Sequence, residues 1–336
     1  MVVPSARVPA GGGGGMSGHH GGHAGRRSSR RAVLRTTTAL AVPLLGRCAG
    51  LHGGRADAAS PSAAVGIAAA ARLRIVLAQW SFQRMLLAGE ADPLDFPRLA
   101  RRQFDIDAVA YGGPFLKAHV GDPDSIADLA SRASDEGVAG VVLTCEGLGR
   151  LGDPDDKART QAIENHFPWV EAAKRLGCPA VRVEAGSAGT PDEQQRLVAD
   201  GLIRLAEYAA QMDMTLLVSN HGTAASDATW LAGLLRHVGR ADVHAMPDTG
   251  AFGDYDRYRG MKELAPLARG LCATCHEFDA EGGEVRTDYA RLLRIATDGG
   301  FRGWVAIAYS GRALPEPEGV RATKRMLERV RHAVVD

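Results

Sequence analysis

Net charge is the first thing this sequence lacks. Its 40 Lys+Arg are matched by 39 Asp+Glu over 336 residues, a formal +1, which excludes a basic nucleic-acid binder and an acidic tail protein. Cysteine is scarce, with five in the chain. The one C-x-x-C pair, Cys272 and Cys275, falls short of the four ligands that a structural zinc site takes. Leu271 to Cys275 reads as a strand, where residues three apart face opposite ways, so buried inert thiols are expected there. There is no G-x-S-x-G elbow for a nucleophilic serine. The first predicted strand leads into Gln79-Trp80-Ser81-Phe82 rather than a Gly-rich phosphate loop. What the chain does have is apolar content, at 45 %, and length enough for one large domain or two ordinary ones.

The even charge hides a split. Residues 1–60 hold eight Arg, no Lys and one acid, Asp57, and removing them leaves 32 basic and 38 acidic residues, about −6. Residues 1–25 are Gly-rich with almost no large apolar groups, too few to fold. Then come Ser29-Arg30-Arg31-Ala32-Val33-Leu34-Arg35 and a mostly apolar stretch from Thr36 to Gly46, a run too short to span a bilayer. The paired arginines resemble the twin-arginine signal, which implies export to the periplasm of an already folded protein. Ala56-Asp57-Ala58 fits a small-x-small cleavage site, and Cys48 after Arg47 is a poor lipoprotein match, so no stable membrane anchor is expected. The expected organisation is a basic leader with its signal over 1–60, an Ala-rich linker over 61–72, and a single domain over 73–336.

In that domain short apolar runs alternate with amphipathic stretches. Candidate strands are 74–80, 108–111, 140–145, 180–183, 215–219, 243–246, 270–275 and 304–309. Helix-like segments lie near 95–103, 124–136, 157–176, 191–212, 225–237, 257–267, 288–298 and 319–334. Pro191 and Asp192 open one helix, and Gly137, Gly177 and Gly239 close others. The strands are rich in Val, Ile, Leu and Ala without polar alternation, as in sheets covered on both faces. Eight strand–helix units point to an α/β fold, the (β/α)8 TIM barrel; a doubly wound open sheet is the competitor.

In such a barrel the chemistry sits at the carboxyl ends of the strands. Those positions hold Gln79 and Trp80, Glu146, Glu184, Asn220 and His221, Asp248, and His276-Glu277. The three carboxylates Glu146, Glu184 and Asp248, two imidazoles and several amides or hydroxyls suit a small polyhydroxylated ligand, a carbohydrate, with Trp80 as an apolar platform for a sugar face. The expected catalytic set is Glu184, Asp248, His221 and His276, and the expected substrate contacts are Gln79, Trp80, Asn220 and Glu146. Arg182, between Val181 and Val183, is placed to pair with a carboxylate inside the barrel. Asn165, His166 and Trp169 fall in a helix and read as packing or surface residues.

From Arg74 to about Val334 the chain resembles the xylose-isomerase-like TIM-barrel family of sugar phosphate isomerases and epimerases, in its exported branch. The resemblance rests on Leu77-Ala78-Gln79-Trp80-Ser81, Asp107 to Tyr111, Leu176 to Val183, Ser219-Asn220-His221-Gly222, Pro247 to Phe252, His276-Glu277-Phe278-Asp279 and Phe301 to Trp304. It implies proton transfer next to the carbonyl of a sugar or keto-sugar, with a divalent metal held by acids and a His. Of the usual charged set Asp248 stays in place. Ser219, Ala308, Ser310 and Ala110 stand where the family carries Glu, Thr274 where it carries Lys or His, and Glu184 where near relatives carry Asn. Asp248 and His276 are the remaining, weak metal candidates, because serine and alanine cannot replace carboxylates as anchors for a hard cation. The resemblance therefore leaves two function classes, an isomerase or epimerase and a carbohydrate-binding barrel without catalysis. A zinc or redox protein built on Cys272 and Cys275 is the third.

Overall fold

The computed structural model describes residues 73–335 apart from Thr223. The leader, its twin-arginine signal and the linker lie outside the described residues. Eight parallel strands are joined edge to edge: β1 (Arg74–Ala78), β2 (Ala108–Tyr111), β3 (Ala139–Thr144), β4 (Ala180–Glu184), β5 (Thr215–Ser219), β6 (Val243–Met246), β7 (Gly270–Cys275) and β8 (Trp304–Tyr309). The order runs from β6 down to β1 and on through β8 to β7. The last seam, β6 to β7, is closed by isolated parallel bridges Ala245–Ala268 and Asp248–Cys272. Cys272 N donates to Pro247 O at 2.8 Å and Thr249 N to Cys272 O at 3.0 Å. The fold is thus the TIM barrel, and its closing seam ties down Asp248.

The main helices alternate with the strands: α1 (Phe96–Phe104), α2 (Pro123–Asp135), α3 (Asp156–Arg175), α4 (Pro191–Ala210), α5 (Ala228–Val238), α6 (Arg257–Leu264), α7 (Tyr289–Asp298) and α8 (Glu316–Val335). Most are started by a side-chain oxygen that takes an otherwise orphan backbone N–H. Asp155 accepts from Ala158 N at 2.7 Å, Asp256 from Arg259 N at 2.7 Å, and Asp288 from Arg291 N at 3.0 Å. At α4, Thr190 and Glu193 form a capping box with Pro191 in the first turn. Gly177 (φ 72°) and Gly239 (φ 61°) end α3 and α5 in the left-handed region, as glycine permits.

β2, β5, β6, β7 and β8 have the bounds expected from sequence. β1 ends two residues early because Gln79–Phe82 coils into a 3-10 turn, anchored where Ser81 Oγ donates to Ile307 O at 3.0 Å and accepts from Tyr309 N at 3.1 Å. The segment expected as one helix over 257–267 breaks after Leu264 into a 3-10 turn, Ala265–Leu267, since Pro266 has no N–H to continue the ladder.

Two apolar layers hold the barrel. Leu77, Val109, Leu143, Val181, Val183, Leu216, Leu271 and Ile307 pack outward against the helices. A smaller inner cluster contains Val76, Ala78, Ala108, Ala110, Leu217, Met246, Cys272, Ala306 and Ala308. Several of these are small, so the barrel centre has room for something longer. All four described cysteines are free and buried. Cys272 belongs to the inner cluster and Cys275 to the outer one, the opposite facing that the strand spacing predicts. Among the described residues no helix is long and apolar enough to cross a membrane.

Candidate active site

The carboxyl ends of the strands enclose a cavity of about 410 Å³, within the size range of small-molecule sites. Asp248, just after β6, is nearly buried in its wall. Its Oδ1 accepts from the Thr274 hydroxyl at 2.6 Å and from Gly250 N at 2.8 Å. Its Oδ2 lies 3.2 Å from His221 Nε2. Burial pushes this carboxyl up, but the His221 hydrogen bond and charge, the Thr274 hydroxyl and the Gly250 amide outweigh it and hold it below the usual aspartate value. The other ring nitrogen of His221, Nδ1, lies 3.9 Å from Glu184 Oε1. Three residues from three consecutive strands thus form a carboxylate–imidazole–carboxylate row on one wall. Its far end, Glu184, is open to the cavity, with 42 % side-chain exposure.

Arg182 occupies the middle of the barrel. It is two residues before Glu184 on β4, so both side chains leave the same face of the strand. Its guanidinium is 5 % exposed as a residue and lines the cavity. Nη2 donates to Glu146 Oε1 at 2.7 Å, and Glu146 Oε2 accepts from the Thr144 hydroxyl at 2.9 Å. Nε is buried with no hydrogen-bond partner, and so is Ser219 Oγ. The pairing expected of Arg182 is present. Arg182 joins the residues expected at the site, and its signal in the sequence is a lone arginine within an apolar strand, between two valines. Thr274 stands at the strand-seven position noted in the sequence, and nothing in the local sequence marks Thr144.

His276 also lines the cavity, but its Nδ1 points back towards the buried Glu284, 4.0 Å away, whose Oε1 accepts the His276 backbone N–H at 3.2 Å. Burial first and the nearby Arg286 charge second push this imidazole below its usual value, against the pull of Glu284, Asp248 and Glu277. Trp80 lines the cavity with its ring set edge-on to Phe115 at 5.1 Å.

Two expected substrate contacts are elsewhere. Gln79 is fully buried: its Oε1 accepts from Gly112 N at 3.0 Å and its Nε2 donates to Pro93 O at 3.1 Å. Asn220 is fully buried too, with Oδ1 accepting from Asp248 N at 2.7 Å and Nδ2 donating to Asp248 O at 3.1 Å. Neither side chain is in the cavity wall; both are consumed by backbone groups, and Asn220 serves to position Asp248. Asn165 donates to Leu148 O at 3.0 Å, and His166 and Trp169 are buried packing residues on α3.

The divalent cation that the sequence resemblance implies does not fit these residues. Among the described residues no group of three His, Cys, Asp or Glu is arranged to hold a metal ion. Asp248 already spends both oxygens on Thr274, Gly250 and His221. Around it the inward positions are Thr274, Ala308 and, two residues beyond the inward Leu217, Ser219. Hydroxyls and a methyl give a hard dication little charge to bind. Of the two residues expected as ligands, Asp248 is hydrogen-bonded to Thr274 and Gly250 and faces His221, and His276 Nδ1 lies 4.0 Å from Glu284 Oε1.

Residues 100–330 match the family described as Xylose isomerase-like TIM barrel. Solved structures of similar fold include a 3-keto-D-glucoside 4-epimerase from E. coli (14 % identity, 76 % of this chain and 99 % of that one, TM-score 0.62). An L-ribulose 3-epimerase is 14 % identical over 78 % of this chain and 95 % of its own, with a TM-score of 0.61. A D-psicose 3-epimerase from Clostridium cellulolyticum H10, solved with D-tagatose, is 12 % identical over 79 % and 97 %, with a TM-score of 0.59. No curated protein matches the chain in sequence.

Proposed function

The chain belongs to the xylose isomerase-like TIM barrel family, and on that footing we propose that it acts on a sugar or keto-sugar by moving a proton at a carbon next to the carbonyl. The observation that supports this reading is the row Glu184–His221–Asp248, at 3.9 and 3.2 Å, along the wall of a cavity sized for one small ligand. Glu184, open to the cavity, takes the proton from carbon. His221 stands behind it, its ring oriented by Asp248 as a carboxylate orients an imidazole in other acid–base sites. Trp80 offers an apolar face to the ligand ring. Solved relatives of the same fold are sugar epimerases by name, and that likeness supports the substrate class. The test is deuterium uptake from D2O at carbons adjacent to the carbonyl, followed by NMR over a panel of free ketoses, aldoses and keto-sugars. Uptake that falls at least 100-fold in Glu184→Gln is expected; no uptake with any sugar sinks the reading.

A second reading, a carbohydrate-binding barrel without catalysis, is favoured by Ser219, Thr274 and Ala308 at the inward strand-end positions. Saturable sugar binding with no isotope uptake would select it. We further propose that residues 1–60 export the folded protein to the periplasm; Arg30→Lys with Arg31→Lys should leave it in the cytoplasm.

A further inference from the structure

Removing a proton next to a carbonyl leaves negative charge on oxygen, and some cation or donor must receive it. In this cavity Asp248 has both oxygens engaged, by Thr274, Gly250 and His221, and the neighbouring inward positions Thr274, Ala308 and Ser219 carry no second acid. Trp80 Nε1 and Ser219 Oγ are buried without partners but carry no charge, whereas Arg182 brings both a full positive charge and unspent donors. Of the five N–H of Arg182, one hydrogen bond is made, Nη2 to Glu146 Oε1 at 2.7 Å. Nε is buried without a partner, and Nη1 has none among the described residues, while the guanidinium forms part of the cavity wall. A guanidinium on a residue 5 % exposed, beside a cavity and with most of its donors idle, is costly for the fold alone. It is also a planar fork matched to two adjacent oxygens.

We propose that Arg182 is the electrophile of this site, receiving the carbonyl and adjacent hydroxyl oxygens of a sugar where other barrels of this shape use a divalent metal. The inference rests on the proton-transfer reading for its chemistry but not for its binding role. In the step, the C–H bond breaks and the proton passes to the Glu184 carboxylate. The C–H electron pair forms a C=C bond, and the carbonyl pair moves onto oxygen, giving an enediolate held by the Arg182 N–H groups. Return of the proton to carbon restores the carbonyl, with no oxidant or reductant consumed. Glu146 and Thr144 are positioning residues: Glu146 holds one end of the guanidinium and the Thr144 hydroxyl holds Glu146.

The test uses the full chain treated with EDTA and, as probe, a four-carbon sugar hydroxamate, a planar mimic of the enediolate, titrated by calorimetry. Binding should persist in EDTA and be unaffected by dialysis against chelator. It should weaken at least tenfold in Arg182→Lys, which keeps charge but loses the fork, and at least 100-fold in Arg182→Met. Binding that appears only with added Mn²⁺ or Zn²⁺, or that is unchanged in a folded Arg182→Met, overturns the proposal. Should the Met variant fail to fold, the chelator arm and Arg182→Lys decide. Isotope uptake separates the two readings. Arg182-dependent hydroxamate binding without uptake upholds the oxyanion site and defeats proton transfer. Uptake undiminished in Arg182→Met does the reverse.

Discussion

Glu146→Ala offers the sharpest check on the buried cation. Arg182 and Glu146 are 6 % and 15 % exposed at the side chain, and their contact is 2.7 Å. Taking the carboxylate away leaves a guanidinium inside the barrel with no hydrogen bond at all, a loss of about 3–5 kcal/mol for breaking a buried pair on one side. The opposite deletion is milder. In Arg182→Met the charge is gone, and Glu146 keeps the Thr144 hydroxyl and an edge on the cavity, so about 1–2 kcal/mol is expected. The double variant should therefore cost less than Glu146→Ala alone, with a coupling of about 2 kcal/mol. Urea unfolding followed by circular dichroism and tryptophan fluorescence measures all four corners. A loss below about 1 kcal/mol in Glu146→Ala, or simple addition in the double variant, would refute the picture of a cation that depends on one partner.

Other consequences follow from single features of the fold. His166 is buried on α3 and its imidazole is pushed below its usual value, by burial against the pull of Ala162 O. The unfolded chain therefore binds a proton that the folded one refuses, and stability should fall as pH drops below about 6.5, with His166 contributing at most ~1.4 kcal/mol per pH unit. His276 and His244, lowered in the same direction, add to the slope, so His166→Phe should make it shallower without abolishing it. Gly201→Ala in α4 puts a Cβ 1.9 Å from Leu151 O and should destabilise by about 2 kcal/mol or more, whereas Gly233→Ala in α5 meets the movable Gln195 amide and should gain up to about 1 kcal/mol in thermal unfolding. Cys272 and Cys275 face different layers, so neither chelator nor reductant should move the melting temperature; a shift of several degrees with either would reopen a zinc or disulfide role.

Strand positions were readable from sequence because parallel strands covered on both faces are unbroken apolar runs, and five of them have the expected bounds to the residue. Errors came where local geometry overrides the run, as at Gln79, where a side chain captures loop backbone, and at Pro266, where a missing N–H ends a helix. The site was half readable. Glu184, His221, Asp248, Glu146, Trp80 and His276 all line the cavity because strand ends converge there whatever their identity. Gln79 and Asn220 sit at the same chain positions yet point into the wall, a choice set by which backbone groups lack partners. That choice involves residues 14 to 33 positions away and leaves no mark on the local pattern.

The same geometry explains how a barrel of this kind can change its chemistry without changing its fold. The helix-facing layer, from Leu77 round to Ile307, makes the core and never enters the cavity. The inward strand ends carry little of that packing, so a position such as Ala308 can change within the limits of size, while Thr274 is held by its hydrogen bond to Asp248. Size is the operative condition. Ala78, Ala110, Cys272 and Ala308 line the same cavity as Arg182, and their short side chains leave the volume that a long guanidinium stem occupies. One arginine among small residues, with a single paired acid, places positive charge in the cavity lining. In this chain the row of Glu184, His221 and Asp248 and the Arg182–Glu146 pair line one cavity.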